Sequence, residues 1–393
     1  MLTWRNVLVV TVFGALVAAC GGSSDAQTAA SPASAPAVTT VAPTPTEAPV
    51  TEAPVVTGEP ATTEAAPTTV SYASQWERIA APSNCMCGDK SEFSYFIRKA
   101  DPDKVVFFLE GGGACFDAVG CGPKSTNFKR TVGYDDGMTN NEGFFDLANP
   151  KNPFADYSMV FVPYCTGDVH LGNTTHDYGD GVVVEHKGSV NATAALEKMA
   201  ETFPDATEVV VTGASGGSVP SPLYAGLTHD VLPNARISVF ADGSGAYPDI
   251  PVINATIGAV WGTMNAVPAW PEYAGITPES WSLPGLFVKS GAHDPSIAFA
   301  RHDYAFDETQ QFFASLAGIP ADHLVELIDK NEAQIQAAGV ELDSYISPGH
   351  SHTVIGKPEF YTETVNGVLL VDWVRDLITG KPIDDVHCED CGS

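Results

Sequence analysis

Val209-Val210-Val211-Thr212 runs directly into Gly213-Ala214-Ser215-Gly216-Gly217, an apolar stretch followed by a G-x-S-x-G pentapeptide. β-Branched residues favour an extended chain, and the glycines two before and two after Ser215 remove side chains that would clash in a sharp turn. The order strand, tight turn, helix lifts a serine hydroxyl clear of the backbone, where it can act as a nucleophile. Taken alone, the pentapeptide also fits any glycine-rich connection between a strand and a helix. The surrounding sequence has to decide between the two.

Outward from this turn, Lys104-Val105-Val106-Phe107-Phe108-Leu109, Ser158-Met159-Val160-Phe161-Val162 and Ile237-Ser238-Val239-Phe240-Ala241 read as buried strands, as does 208–212. Ser189 to Thr202 carries Ala, Leu and Met at helical spacing, and a further helix can start after Ser215. Short apolar strands alternating with helices predict an α/β fold of the α/β-hydrolase type, a mainly parallel sheet with helices on both faces. Reactive groups in such sheets gather at the carboxyl ends of the strands.

Leu109-Glu110-Gly111-Gly112-Gly113-Ala114-Cys115-Phe116 begins at one such end. Successive glycines leave backbone N–H groups free to point at a developing oxyanion, and the run precedes the serine by two strands, as the glycine-rich loop of lipases does. Gly112 and Gly113, with Gly216 after the serine, are the expected oxyanion donors. An α/β-hydrolase places its acid and then its histidine after the serine. His350 and His352 in Ser347-Pro348-Gly349-His350-Ser351-His352-Thr353 are the histidine candidates, while His387 lies among charged residues and reads as surface. Asp242, Asp294, Asp303 and Asp307 are all candidate acids, and spacing alone does not choose among them.

These stretches, together with Pro163-Tyr164-Cys165-Thr166-Gly167-Asp168-Val169-His170-Leu171-Gly172, His186-Lys187-Gly188, Ala241-Asp242-Gly243-Ser244-Gly245 and Tyr304-Ala305-Phe306-Asp307-Glu308-Thr309-Gln310, resemble the pectin acetylesterase family, which includes the Notum-type carboxylesterases. The resemblance spans nearly all of residues 73–380. It implies Ser215 as nucleophile, Asp307 as the triad acid, His352 as the base and Asp242 as a structural neighbour. It further implies disulfides Cys115 to Cys121 and Cys87 to Cys165, leaving Cys85, Cys388 and Cys391 open. Where relatives carry bulky aromatics after the paired glycines, this chain has Gly113 and Ala114, and it has Gly216-Gly217 where many have Ala-Gly. An acyl pocket shaped differently from that of the family is the expectation, and a wider or more open wall would leave the acyl length open.

Residues 1–20 hold Arg5, an apolar stretch from Val7 to Val17 and the ending Leu16-Val17-Ala18-Ala19-Cys20. This predicts a signal peptide, and small residues before the cysteine resemble the bacterial lipobox, with Cys20 as the lipidation residue. The apolar run is too short to span a bilayer comfortably. From 21 to 72 the chain turns to Ala, Pro, Thr, Ser and Val, with Thr46-Glu47-Ala48-Pro49-Val50 repeated as Thr51-Glu52-Ala53-Pro54-Val55. Such a segment buries too little surface to offset its ordering entropy and reads as a disordered linker. At about 3.1 Å per residue it reaches roughly 160 Å. Residues 73–393 then form the expected esterase domain.

The chain carries a net charge of −29, of which −25 belongs to residues 73–393 once the five acids of the linker and Arg5 are set aside. That charge argues against nucleic acid as a partner and against a strongly polyanionic substrate such as polygalacturonate. Seven cysteines follow Cys20, and an exported chain uses them as disulfides. The odd number leaves at least one thiol outside an intramolecular pair. Cys85-Met86-Cys87 and Cys388-Glu389-Asp390-Cys391 have zinc-ligand spacing but lack a ribbon pattern around them, so no metal and no cofactor are expected. The combined expectation is a lipid-anchored protein of the bacterial cell envelope that removes a short acyl group, such as acetyl, from a carbohydrate or small-molecule ester. The rival is a non-catalytic surface lipoprotein that binds a glycan or an acylated ligand.

Overall fold

The computed structural model describes residues 75–133 and 141–391, which fall within one compact unit, Pro67–Ser393. The expected signal peptide, Cys20, the linker and the first two residues of the expected domain lie outside the described residues. In chain order the elements are β1 (Trp76–Ala80), β2 (Ser94–Arg98), β3 (Asp101–Leu109), β4 (Tyr157–Val162), a hairpin of β5 (Thr174–Asp177) and β6 (Val183–His186), α1 (Gly188–Thr202), β7 (Glu208–Ala214), α2 (Ser221–Val231) and β8 (Arg236–Asp242). There follow α3 (Pro251–Trp261), α4 (Leu283–His293), β9 (Ala298–Tyr304), α5 (Glu308–Leu316), α6 (Leu324–Ala337), β10 (Leu342–Ser347), the short pair β11 (Thr364–Val365) and β12 (Val368–Leu369), α7 (Leu370–Ile378) and β13 (Val386–His387).

Nine strands make one sheet in the order β1-β2-β4-β3-β7-β8-β9-β10-β13. Every pairing from β4 across to β13 is parallel, while β1 and β2 run antiparallel at the opposite edge. Val105–Leu109 of β3, Tyr157–Val162 and Val209–Val211 are buried and mostly apolar because both faces of the sheet are covered there. On one face Ala192, Ala195, Leu196 and Met199 of α1 pack with Tyr224 and Ala225 of α2 against Val105, Phe107, Val209 and Val211. On the other, Leu370, Val371, Val374 and Leu377 of α7 join Val106, Phe108, Val210 and Phe240. No helix among the described residues is long and apolar enough to cross a membrane.

Two features of the sheet place the site. β3 and β7 are direct neighbours, with Leu109 opposite Gly213, so the glycine-rich run after β3 and the serine turn after β7 emerge side by side. β7 also continues to Ala214, two residues beyond the expected strand. Ser215 is therefore the first residue past the strand.

Candidate active site

Ser215 has φ +55°, in the left-handed region that a residue with a side chain occupies only under strain. A turn of 3₁₀ helix, Ser215–Gly217, follows it and leads towards α2. Alongside, Gly113 (φ +78°) bridges to Phe128, with Ala114 N donating to Asn127 O and Lys129 N to Gly112 O, both 3.0 Å. Gly216 sits against this run, for a Cβ placed on it would be 3.1 Å from Gly113 O and 3.9 Å from Gly112 N. Among the described residues, the N–H groups of Gly112, Gly113 and Gly216 donate to no protein acceptor. Gly113, Ser215 and Gly216 line one cavity, with Gly112 next to Gly113 in the chain.

The run is clamped from below. The Glu110 carboxylate accepts from Lys129 Nζ (2.6 Å) and Tyr164 N (2.8 Å), and the Glu110 carbonyl accepts from His170 Nε2 (2.9 Å). His170 is buried, and burial pushes its pKa down to about 4, so the ring is neutral and Nε2 carries the donated hydrogen. Val169 and His170 both have positive φ, and Tyr164 Oη accepts from Val169 N (2.9 Å). Glu110, Lys129, Tyr164 and His170 were not singled out from the sequence as site residues. Their partners are 19 to 60 positions apart, which no local pattern reveals.

At the ends of β9 and β10 the structure brings Asp307 and His352 together, with His352 Nδ1 2.6 Å from Asp307 Oδ2. Asp307 is fully buried. Its Oδ1 accepts from Thr309 N (2.8 Å) and Gln310 N (3.0 Å), so the residue also caps α5. The donor Nδ1–H fixes the imidazole tautomer, leaving Nε2 as the free lone pair. His352 Nε2 is buried and has no hydrogen-bond partner among the described residues. The Ser215 hydroxyl is accordingly not bonded to it in this resting arrangement.

The other candidates fall into different places. Asp242 is buried, its Oδ1 2.8 Å from His302 Nδ1, and its Oδ2 accepts from Val354 N and Ile355 N, both 2.8 Å. It ties down the loop that carries His352, whose neighbour Thr353 has φ +55°. Asp294 meets His229 at 3.0 Å, and Asp303 lies in a buried cluster with Arg301. His350 is exposed, 3.9 Å from Glu308, and His387 faces Asp329.

Beside Ser215 and Gly216 opens a cavity of about 90 Å³, lined mainly by apolar side chains including Phe116, Tyr247, Ile257, Trp261, Trp281 and Phe313. Where Gly113-Ala114 supply no bulky side chain, aromatics from α3, α5 and the segment before α4 furnish the wall. The cysteines pair as Cys87–Cys165, Cys115–Cys121 and Cys388–Cys391. The sulfurs of the zinc-like Cys388 and Cys391 are therefore joined to each other. Cys85 is free and buried, and burial, with Glu197 adding to it, pushes its thiol up to about 11, which keeps it un-ionised near neutrality.

A nine-stranded, mainly parallel α/β sheet with a serine on a strained strand-to-helix turn, and a coupled Asp–His pair on later strand ends, defines an α/β-hydrolase-like protein. The chain belongs to the pectinacetylesterase family, whose model, described as Pectinacetylesterase, matches residues 71–264. It is 29% identical over 136 residues to palmitoleoyl-protein carboxylesterase notum2 of Xenopus laevis, covering 33% of this chain and 27% of that protein. It is 24% identical over 179 residues to pectin acetylesterase 5 of Arabidopsis thaliana, covering 44% of this chain and 42% of that one. These matches span less than half the length of either relative. The crystal structure of the Wnt deacylase Notum from Drosophila superposes with a TM-score of 0.59 at 15% identity, over 80% of this chain and 97% of that one, and so shares the fold.

Proposed function

We propose that the protein is a serine carboxylic-ester hydrolase. The observation that carries this reading is the 2.6 Å contact between buried Asp307 and His352, which leaves a buried, unpartnered Nε2 on the histidine. In the reaction Ser215 Oγ attacks the ester carbonyl carbon while its proton passes to His352 Nε2. Asp307 holds the ring and stabilises the imidazolium. The carbonyl oxygen becomes an oxyanion facing the N–H groups of Gly112, Gly113 and Gly216. Collapse expels the alcohol with the proton from His352, and water, activated by the same histidine, releases the acid from the acyl-enzyme. Atoms balance with ester and water alone, and the chemistry calls on no cofactor.

The cavity beside Ser215 takes the acyl group. Its apolar lining supports a short aliphatic acyl group a few carbons longer than acetyl, since each buried methylene contributes about 0.8 kcal/mol. On that basis kcat/KM should rise about fourfold per added methylene from acetyl upward until the cavity is full. The alcohol is a carbohydrate or small molecule, in keeping with the relatives named pectin acetylesterase. Residues 1–20 with Cys20, and three disulfides among the described residues, support an extracytoplasmic, lipid-anchored location in a bacterial envelope.

Ser215→Ala should lower kcat/KM on aryl esters by on the order of 10⁴–10⁶ without loss of fold, and abolish labelling by a fluorophosphonate. Wild-type hydrolysis by that variant would sink the proposal. A native chain that neither turns over esters nor labels at Ser215 but binds a glycan or an acylated ligand would support the rival, a non-catalytic binder.

A further inference from the structure

Gln310 lies on the first turn of α5 with its side chain fully buried. Its Oε1 accepts from Ala246 N (3.0 Å), while Nε2 donates to Asp303 Oδ1 (2.8 Å) and to Asp307 Oδ2 (3.1 Å). All three contacts agree on one amide orientation. A flip would set Oε1 against two carboxylates and Nε2 against a backbone N–H. The amide therefore separates Asp303 from Asp307 and gives each one hydrogen.

Asp307 Oδ2 is the same oxygen that faces His352 Nδ1. On the far side, Asp303 Oδ1 also accepts from Gly245 N (2.8 Å), while Oδ2 has no hydrogen-bond partner and lies 3.8 Å from Arg301 Nε. Burial raises the Asp303 pKa, with Arg301 opposing it. Arg301 is itself held by Ser344 Oγ, Asn331 Oδ1, Ile328 O and Glu332 Oε2. Tyr247, half-buried at the cavity wall near both acids, stays protonated because desolvation and the two carboxylates raise its pKa.

We infer that Gln310 is a positioning residue for the proposed reaction: its amide pins Asp307 and weakens that carboxylate as an acceptor toward His352, through a buried relay of Arg301, Asp303, Gln310 and Asp307. The inference rests on the ester-hydrolase reading for its kinetic consequences only. A hydrogen bond to a carboxylate draws charge from the oxygen it touches. With that donor gone, Oδ2 binds the His352 Nδ1 hydrogen more strongly and favours the imidazolium, while the carboxylate loses one of the contacts that fix it.

The test compares Gln310→Met and Gln310→Glu with wild type. For Gln310→Met, kcat should fall about 10- to 100-fold with KM changed less than about threefold, and the acid limb of kcat/KM should move up by roughly 0.5–1 pH unit. The His352 Nδ1–H proton resonance should move downfield, a reading that needs no turnover and so holds even if the ester-hydrolase proposal fails. Gln310→Glu keeps the shape and supplies the reading if the methionine variant does not fold. It should be the weaker enzyme at alkaline pH and recover as the pH falls to where its carboxyl, hemmed by Asp303 and Asp307, takes up a proton and can again donate, down to the acid limb set by His352. An unchanged pH profile and an unmoved proton resonance in either folded variant would reduce Gln310 to packing and overturn the inference.

Discussion

Ser215 takes a backbone conformation that only its surroundings can enforce, and the enforcement is steric. A Cβ on Gly217 would land on the Leu109 carbonyl at the end of β3, and the contact is backbone against backbone with no side chain to yield. On Gly216 the same atom would meet Gly113 O at 3.1 Å, tight but within reach of a small adjustment. Gly217→Ala should therefore cost about 1–3 kcal/mol of stability, as overpacking does. Gly216→Ala should cost clearly less. Urea denaturation of the two variants checks the order, and equal stabilities would mean that the β3–β7 gap is looser than described. At this scale the serine was legible in the sequence because the turn needs a local pattern. Gln310 stood in a recognised stretch without a visible role, because its partner Ala246 lies 64 positions away and its two acids meet it only across the turn between β9 and α5.

Between elements, the carboxyl ends of β8, β9 and β10 are joined by Asp242, His302 and Ser347, with His302 Nε2 3.0 Å from Ser347 Oγ. All three are buried. Asp242 couples this row of strand ends to the loop bearing His352. Asp242→Ala would strand the Val354 and Ile355 N–H groups and one nitrogen of His302, a loss on the order of 3 kcal/mol or more. Asp242→Asn can keep both N–H contacts through its oxygen while its amide donates to His302, the ring turning to the other tautomer. It should lose less than about 1.5 kcal/mol and retain most of the activity. Thermal melts with ester kinetics check both variants, and an inert Asp242→Asn would give the carboxylate charge a part in the chemistry. The central strands were legible as continuous apolar runs. β1 at the edge and β2 beside it were not, having fewer successive apolar residues, and neither was the cavity wall, whose aromatics are gathered from positions 116 to 313 by tertiary packing.

Over the whole molecule the dominant electrostatic fact is −29 charges on 393 residues, and repulsion among like charges opposes the compact state. It acts on one acid where β10 begins. Asp343 is half-buried, and burial first, then Asp385, Glu341, Asp384 and Glu332, push its pKa up to about 7. An acid whose pKa is higher folded than unfolded binds its proton more tightly in the native state. Below the ordinary value of 3.8 both states are protonated and no penalty exists. From there to about 7 the unfolded chain ionises first, so native stability falls with rising pH, and above 7 the loss is complete. Asp343→Asn removes the ionisable group and the penalty with it. Its Tm should exceed that of the wild type by more at pH 8 than at pH 4.5, the difference growing mostly between those limits. Added salt should narrow the gap at pH 8, because the four neighbouring carboxylates act partly through solvent. A Tm difference that stays flat with pH would show that Asp343 ionises as freely in the folded protein as in the unfolded chain.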